Sequence, residues 1–291
     1  MRANFAVLSV SIFAGAVICS AQTAPEQAPI VGQAPYSTVY CSGFVRDNKV
    51  SEETRIVSAE QSSYKIIFSQ GDLVHINQGE DKGVRVGDRF MVVRPDVDPA
   101  KSEWFKGQFR IMSAMGLLYR DLGQLKVVNV QQKMSVAQVL FSCTFMQRGD
   151  IVRPFEERAI PPIRDASTFD HFAPVSNKPV GMVVSAVDYA QSPAKGSTMY
   201  VNLGAAQGLK IGDYVRIFRH QGALNETAPV SKNYQYEVYG FGSSPTRYDW
   251  KDLPREILGE GVVLNASRNA ATVMLTFSSS EIYTGDNVEV E

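Results

Sequence analysis

Apolar and polar residues alternate with a period of two along much of this chain, and glycines punctuate the alternating runs. Such alternation marks strands with one buried face. Phe90 and Val92 recur on one side of a predicted strand, as do Val215 and Ile217. One predicted hairpin runs from residues 125–130 through Gln131-Gln132-Lys133 into 136–145. It sets Ala137, Val139, Phe141, Cys143 and Phe145 on one face. A second runs through 262–266, turns near Ser267-Arg268-Asn269 and returns along 271–277. Short strands are expected again at 151–153 and 287–290.

The pattern occurs twice. GDLVHINQGEDKGVRVGDRFMVVRP, from Gly71, aligns without a gap on GSTMYVNLGAAQGLKIGDYVRIFRH, from Gly196. The blocks share Asn77 with Asn202, Gly79 with Gly204, Gly83 with Gly208, Gly87 with Gly212, Asp88 with Asp213 and Arg94 with Arg219. Further on, Leu122-Gly123 matches Leu258-Gly259, Asn129 matches Asn265, Ser142 matches Ser278, and Gly149-Asp150 matches Gly285-Asp286. A fixed-order recurrence of this length is an internal repeat. Its chemistry is that of structural turns. Gly83 and Gly208 can take a positive φ that other residues resist. The pairs Gly87-Asp88, Gly212-Asp213, Gly149-Asp150 and Gly285-Asp286 read as further turns, each Asp able to bond its own backbone.

Five or six short strands per copy, joined by glycine turns, predict an all-β protein. Each copy is expected to be a small SH3-like or OB-like barrel, because closure removes exposed sheet edges. Module one is assigned to residues 37–154 and module two to 180–291. A Pro-rich stretch at 155–179 reads as a semi-rigid linker, and the Pro/Ala-rich stretch at 22–36 as a disordered tail. Residues 1–21 read as a secretory signal. Arg2 precedes an uncharged apolar run, and Cys19-Ser20-Ala21 offers small residues before a cleavage point. The run is too short for a bilayer span, so no integral span is expected after cleavage.

Composition narrows the function. The chain has 29 Lys+Arg against 30 Asp+Glu, and this balance supplies no basic field for nucleic acid. At 44% hydrophobic it can fill two cores. Only Cys41 and Cys143 outlast the signal. In an oxidising compartment the pair predicts one disulfide, stabilising by up to about 4.7 kcal/mol for a loop of this length. Two buried thiols are the alternative. Neither cysteine has a histidine at ligand spacing, so no metal or cofactor is expected.

The signature G-x3-G-[VL]-x-[VI]-G-D, carried by residues 79–93 and 204–218 and followed by an alternating strand, resembles the C-terminal domain of flagellar assembly protein T. It is also similar to the β modules of LysM-associated bacterial envelope proteins. The resemblance implies a non-catalytic β domain in the cell envelope. No LysM-like segment accompanies it here, and it carries no flagellar role.

Residues that could do chemistry are sparse. His75 matches Tyr200 in the other copy, His171 sits beside Asp170 in the linker, and His220 ends a strand. None belongs to a metal motif, no Gly-x-Ser-x-Gly elbow occurs, and the spaced glycines open strands rather than phosphate-binding helices. The richest segments are two insertions at matching places. The first, 96–116, holds Trp104, Phe105 and Phe109. The second, 221–251, holds Tyr234, Tyr236, Tyr239, Phe241, Tyr248 and Trp250. Loop aromatics on a rigid scaffold point to a recognition surface; alternatively they plug their own barrel or join the modules. The expectation is a non-enzymatic exported envelope protein, periplasmic or extracellular. It would bind a glycan or protein partner through these aromatics, or scaffold an assembly. A secreted hydrolase with unrecognised carboxylates and a purely structural subunit are the competing expectations.

Overall fold

The computed structural model describes residues 30–60, 64–97, 103–166, 169–220 and 254–291. The signal reading at 1–21 and the second insertion's six aromatics lie outside the described residues. The chain opens with β1 (Ile30–Gln33) and a short helix, α1 (Tyr36–Cys41). An N-terminal sheet follows, built from β2 (Phe44–Arg46), β3 (Ile56–Ala59), β4 (Leu73–Ile76), β5 (Arg89–Pro95), β6 (Leu117–Val130), β7 (Ser135–Ser142) and β8 (Ile151–Pro154). A second helix, α2 (Gln108–Met115), precedes β6. After β9 (Pro162–Arg164) comes a C-terminal unit of β10 (Val180–Ala186), β11 (Thr198–Val201), β12 (Tyr214–His220), β13 (Arg255–Ala266), β14 (Ala271–Ser278) and β15 (Asn287–Val290).

The C-terminal unit is a closed barrel in the order β10-β11-β14-β13-β12-β15. The N-terminal sheet runs β3-β4-β7-β6-β5-β8, with β2 added beside β6. Its two ends meet where Ile56 N donates to Asp150 O (3.0 Å) and Val152 N to Thr54 O (2.8 Å). Both paths visit their strands in the same relative order: first, second, fifth, fourth, third, sixth. Each encloses its own core, Phe90, Val92, Leu125 and Val139 in one and Val215, Ile217, Val263 and Val273 in the other.

The shared residues perform the same local work in both units. Gly83 and Gly208 end a 3₁₀ turn in left-handed backbone, at φ 80° and 90°, as their turn reading requires. Gly87 and Gly212 do the same four residues on, at φ 97° and 92°, and donate to Val127 O and Val263 O at 2.9 Å. Gly149 and Gly285 take φ 90° and 102° before the last strand. Asp88 and Asp213 each accept from the backbone N–H three residues back, at 2.8 Å. Asp150 and Asp286 do likewise at 2.7 Å, and also take both arms of a distant guanidinium. Arg94 grips Asp150 at 2.7 and 2.9 Å; Arg219 grips Asp286 at 2.7 and 2.7 Å. Thus the third and last strands of each path are clamped by a charge-assisted fork whose carboxylate is buried. Gly79 and Gly204 are required by crowding. A Cβ there would sit 2.3 Å from Gln131 O or 2.4 Å from Ser267 O, where a 3₁₀ turn presses on the hairpin tip.

Two expectations are corrected. The predicted hairpin face holds for Ala137 and Val139 but fails at Phe141, because the register shifts between Gln124 and Leu125. This bulge sends Phe141 to a different cluster and leaves Phe145 exposed under Arg94. The tail is ordered from Ile30, where β1 pairs antiparallel with β9. The linker, read as semi-rigid, is anchored by its side chains. Arg158 forks onto Asp121, Arg164 reaches Glu291 at 2.8 Å, and Arg255 bonds both Ala173 O and Pro174 O. Prolines break the periodicity of such a segment without preventing its side chains from anchoring it. Gly208 and Gly212 form the turns expected of them and also meet the linker. The linker returns over their turn, so a Cβ on Gly212 would meet Pro161 at 4.0 Å, whereas one on Gly87 would meet nothing. Both glycines also line a small groove of about 380 Å³ with Arg164, Lys178 and Tyr214. The class is mainly β, and the helices α1 and α2 are additions to the expected strands.

Near the β9 attachment, the Glu260 carboxyl of β13 titrates away from its ordinary value. Burial first, and then the hydrogen-bonded Glu291 carboxyl, raise the Glu260 carboxyl from its ordinary value to about 7, against the pull of Arg216 and Arg164. The folded state therefore holds a proton that the unfolded chain releases between pH of about 4.5 and about 7. This group's contribution is most favourable below that window and is lost as the pH rises through about 7.

Two outcomes are expected. Replacing Asp286 with Ala strands the half-buried Arg219 and should cost about 3 kcal/mol in urea unfolding, against about 1 kcal/mol for Asp88→Ala, which loses only a turn bond. Glu260→Gln should reduce the gain in melting temperature that the parent shows between pH 8 and pH 5.5; an identical gain in both would show that Glu260 is not the titrating group.

Candidate functional site

The two units are joined by the segment running from Ala34 to Arg46. Val39 and Tyr40 of α1 pack on Tyr214, Val262, Leu264 and Met274 of the barrel, while Val45 of β2 meets Val184, Tyr200 and Ala270. Cys41, at the end of α1, is disulfide-bonded to Cys143 beyond β7. Between α1 and β2, Gly43 takes φ 65°. A Cβ on Gly43 would lie 2.3 Å from the Tyr200 hydroxyl, which donates to Ser42 O at 2.9 Å. Burial raises the Tyr200 pKa well above its ordinary value, so the hydroxyl remains a donor.

Beneath this joint lies a buried ion pair. The Asp121 side chain is wholly buried, takes both arms of Arg158 at 2.7 and 2.8 Å and accepts from Gly43 N at 3.0 Å. Arg158 also bonds Val39 O, and its N–H reaches the Tyr40 hydroxyl. One carboxylate thus fixes β6, the α1–β2 corner and the segment after β8.

The first insertion closes one side of the joint. Gln108, Ile111, Met112 and Met115 of α2 turn inward, at the spacing of one helical face. The Gln108 amide donates to Val184 O at 2.7 Å and accepts from Trp104 N at 2.8 Å. Trp104 and Phe109 stay exposed, at 45% and 37%, while Phe105 is half-buried. The insertion therefore does join the units, but through the inner face of α2 rather than through its outward aromatics.

Between α2, β2, the start of β6 and the barrel opens a cleft of about 620 Å³. Val45, Met112, Met115, Leu117 and Leu118 form its apolar wall, with Pro95 and Val97 at one end. Leu117 and Val97 are 45% and 72% exposed. Asp96 lines the same end. Burial raises its pKa despite the Arg120 guanidinium beside it. Arg120 bridges the units, bonding Asp96 at 3.2 Å and Asp188 at 2.7 Å. Burial works against the Arg120 charge, but the two carboxylates outweigh it and raise the pKa. Asp188 and Tyr189 both hold left-handed backbone, at φ 58° and 55°. Strained residues of this kind cluster at functional sites.

A second groove, of about 560 Å³, lies across β2 from the first. It is polar, and Arg46 and Arg268 at its edge make no ion pair among the described residues.

The three histidines are not assembled. His75 is half-buried on β4, His220 is exposed at the end of β12, and exposed His171 lends its carbonyl to Ile257 N at 3.1 Å. Among the described residues no group of three His, Cys, Asp or Glu is placed to hold a metal. No helix among them is long and apolar enough to cross a membrane. The 108/111/112/115 spacing was a readable sign of α2; nothing local marks Arg120 and Asp188 as partners. No protein-family model matches the chain, and no curated protein matches it in sequence.

The joint should fail when its tight corner is filled. Gly43→Ala is expected to expose the 34–46 segment to limited proteolysis while the barrel stays resistant. Tyr200→Phe should cost about 1–2 kcal/mol by leaving Ser42 O unpaired.

Proposed function

We propose that this chain is a non-enzymatic, exported bacterial envelope protein that binds a protein partner in the cleft between its two units. We read the units as diverged copies of one small SH3-like or OB-like barrel. Supporting this are the shared strand order, the paired Gly-Asp turns and the repeated Arg–Asp clamp. The disulfide fits an oxidising compartment, and with it export.

The observation that carries the binding role is the cleft itself: an apolar, methionine-bearing wall, partly exposed, at the joint between the units. Methionine and leucine walls suit apolar side chains of another protein, because they adapt to shape while giving up little in water. A glycan needs polar groups along its length, and this wall offers few. The outward Trp104 and Phe109 extend the surface beside α2, where aromatic anchors contribute most to binding. Two carboxyl pairs lie close, Glu260 with Glu291 and Asp96 with Asp188; Glu291 raises the Glu260 pKa, and the second pair has the Arg120 guanidinium between its members. Glycosidases keep theirs roughly 5 Å or more apart, with the scissile bond between them.

A photocrosslinking residue at Leu117, in protein purified without residues 1–21, tests this reading against solubilised envelope protein and isolated peptidoglycan. The expected result is a discrete protein adduct that falls at least about tenfold in a Met112→Glu, Trp104→Ala variant of unchanged melting temperature. Capture of peptidoglycan alone would transfer the site to glycan binding. No adduct with either would remove the cleft from consideration.

A further inference from the structure

The charges at one end of the cleft narrow the chemistry of its occupant. Asp96 lines the cleft with a side chain only 10% exposed, and it shares a single guanidinium with Asp188. Two carboxylates therefore face one cation at the seam between the units. Asp47 adds another carboxylate to the lining, and Lys49, the remaining cation there, is bound to Glu52 at 2.7 Å. The apolar wall thus ends in a seam with a net negative charge. Asp188 holds the Arg120 arm from a side chain 72% exposed, so its carboxylate is open to a second cation.

We infer that the partner presents a run of large apolar side chains flanked by a Lys or Arg, with the apolar groups on the α2 wall and the cation at the Asp96–Arg120–Asp188 seam. This rests on the cleft being the partner site. Charge complementarity sets both orientation and selectivity: a cation is attracted at the seam, and an acidic residue in its place is repelled by Asp188. The apolar wall supplies the area and the seam chooses the sequence.

Random nonapeptides displayed on phage and selected against the immobilised protein, lacking only residues 1–21, provide the test. Parallel selections use Met112→Glu and Asp188→Asn. Asparagine tolerates left-handed backbone, so Asp188→Asn removes the charge while keeping the local turn, and an unchanged melting temperature checks that the joint is kept. The expected outcome on the parent is enrichment of Leu, Ile, Met or Phe next to Lys or Arg. The leading peptide, made synthetically, should bind Asp188→Asn about fivefold more weakly and lose affinity as salt rises. Apolar peptides with no basic bias, or a basic bias unchanged in Asp188→Asn, would overturn the inference and leave the cleft as a binding site. No enrichment over Met112→Glu would overturn both.

Discussion

The arrangement of the two units depends on one buried carboxylate. Asp121 lies on β6 with no solvent to stabilise its charge, and it is satisfied by the Arg158 fork and the Gly43 N–H together. Each donor comes from a different part of the chain. Breaking such a pair by removing one member costs about 3–5 kcal/mol, because the other charge is left buried and uncompensated. The path of α1 and β2 between the units follows from this knot. Arg158 holds α1 through Val39 O and Tyr40, Gly43 then lies against Tyr200, and β2 is carried to the barrel with Val45 facing the cleft. Burial raises the Asp121 pKa, and the fork and the backbone donor oppose it without cancelling it.

The joint is asymmetric, and the asymmetry is written into aligned strand positions. His75, Lys126, Val128 and Gln138 lie on the outer face of the N-terminal sheet, exposed or half-exposed. The aligned residues in the barrel are Tyr200, Val262, Leu264 and Met274, all buried beneath α1 and β2. The same pleat therefore meets water in one unit and protein in the other. The exchange of His for Tyr, puzzling in the sequence, is explained by this cover. The turn at Gly208 and Gly212 shows the same bias, since the linker crosses it and leaves its counterpart at Gly83 and Gly87 uncovered.

How far the sequence was readable depended on the range of the interaction. The Gly-Asp turns and both long hairpins follow from residues within a few positions of each other, so glycine spacing and alternation located them. The disulfide was legible for another reason: two cysteines leave a single pairing. What escaped was set by distant partners. β1 is a strand because β9 lies alongside it, and nothing in the Pro/Ala-rich surroundings of Ile30 announces that. The bulge at Gln124 redirected Phe141 although the alternation continues through it. Of the predicted binding residues, Trp104 and Phe109 are exposed, yet the cleft wall is made by Met112, Met115 and Leu117, none of them aromatic.

The position of the disulfide in the chain bears on how the molecule is assembled. Both cysteines precede the first strand of the barrel, and Arg158, which completes the knot at Asp121, precedes it as well. The N-terminal half of an emerging chain thus contains every residue needed to fix α1 against its own sheet. The barrel is made after them and meets a finished template. Its outer face closes on a surface already shaped, and synthesis order and docking order coincide.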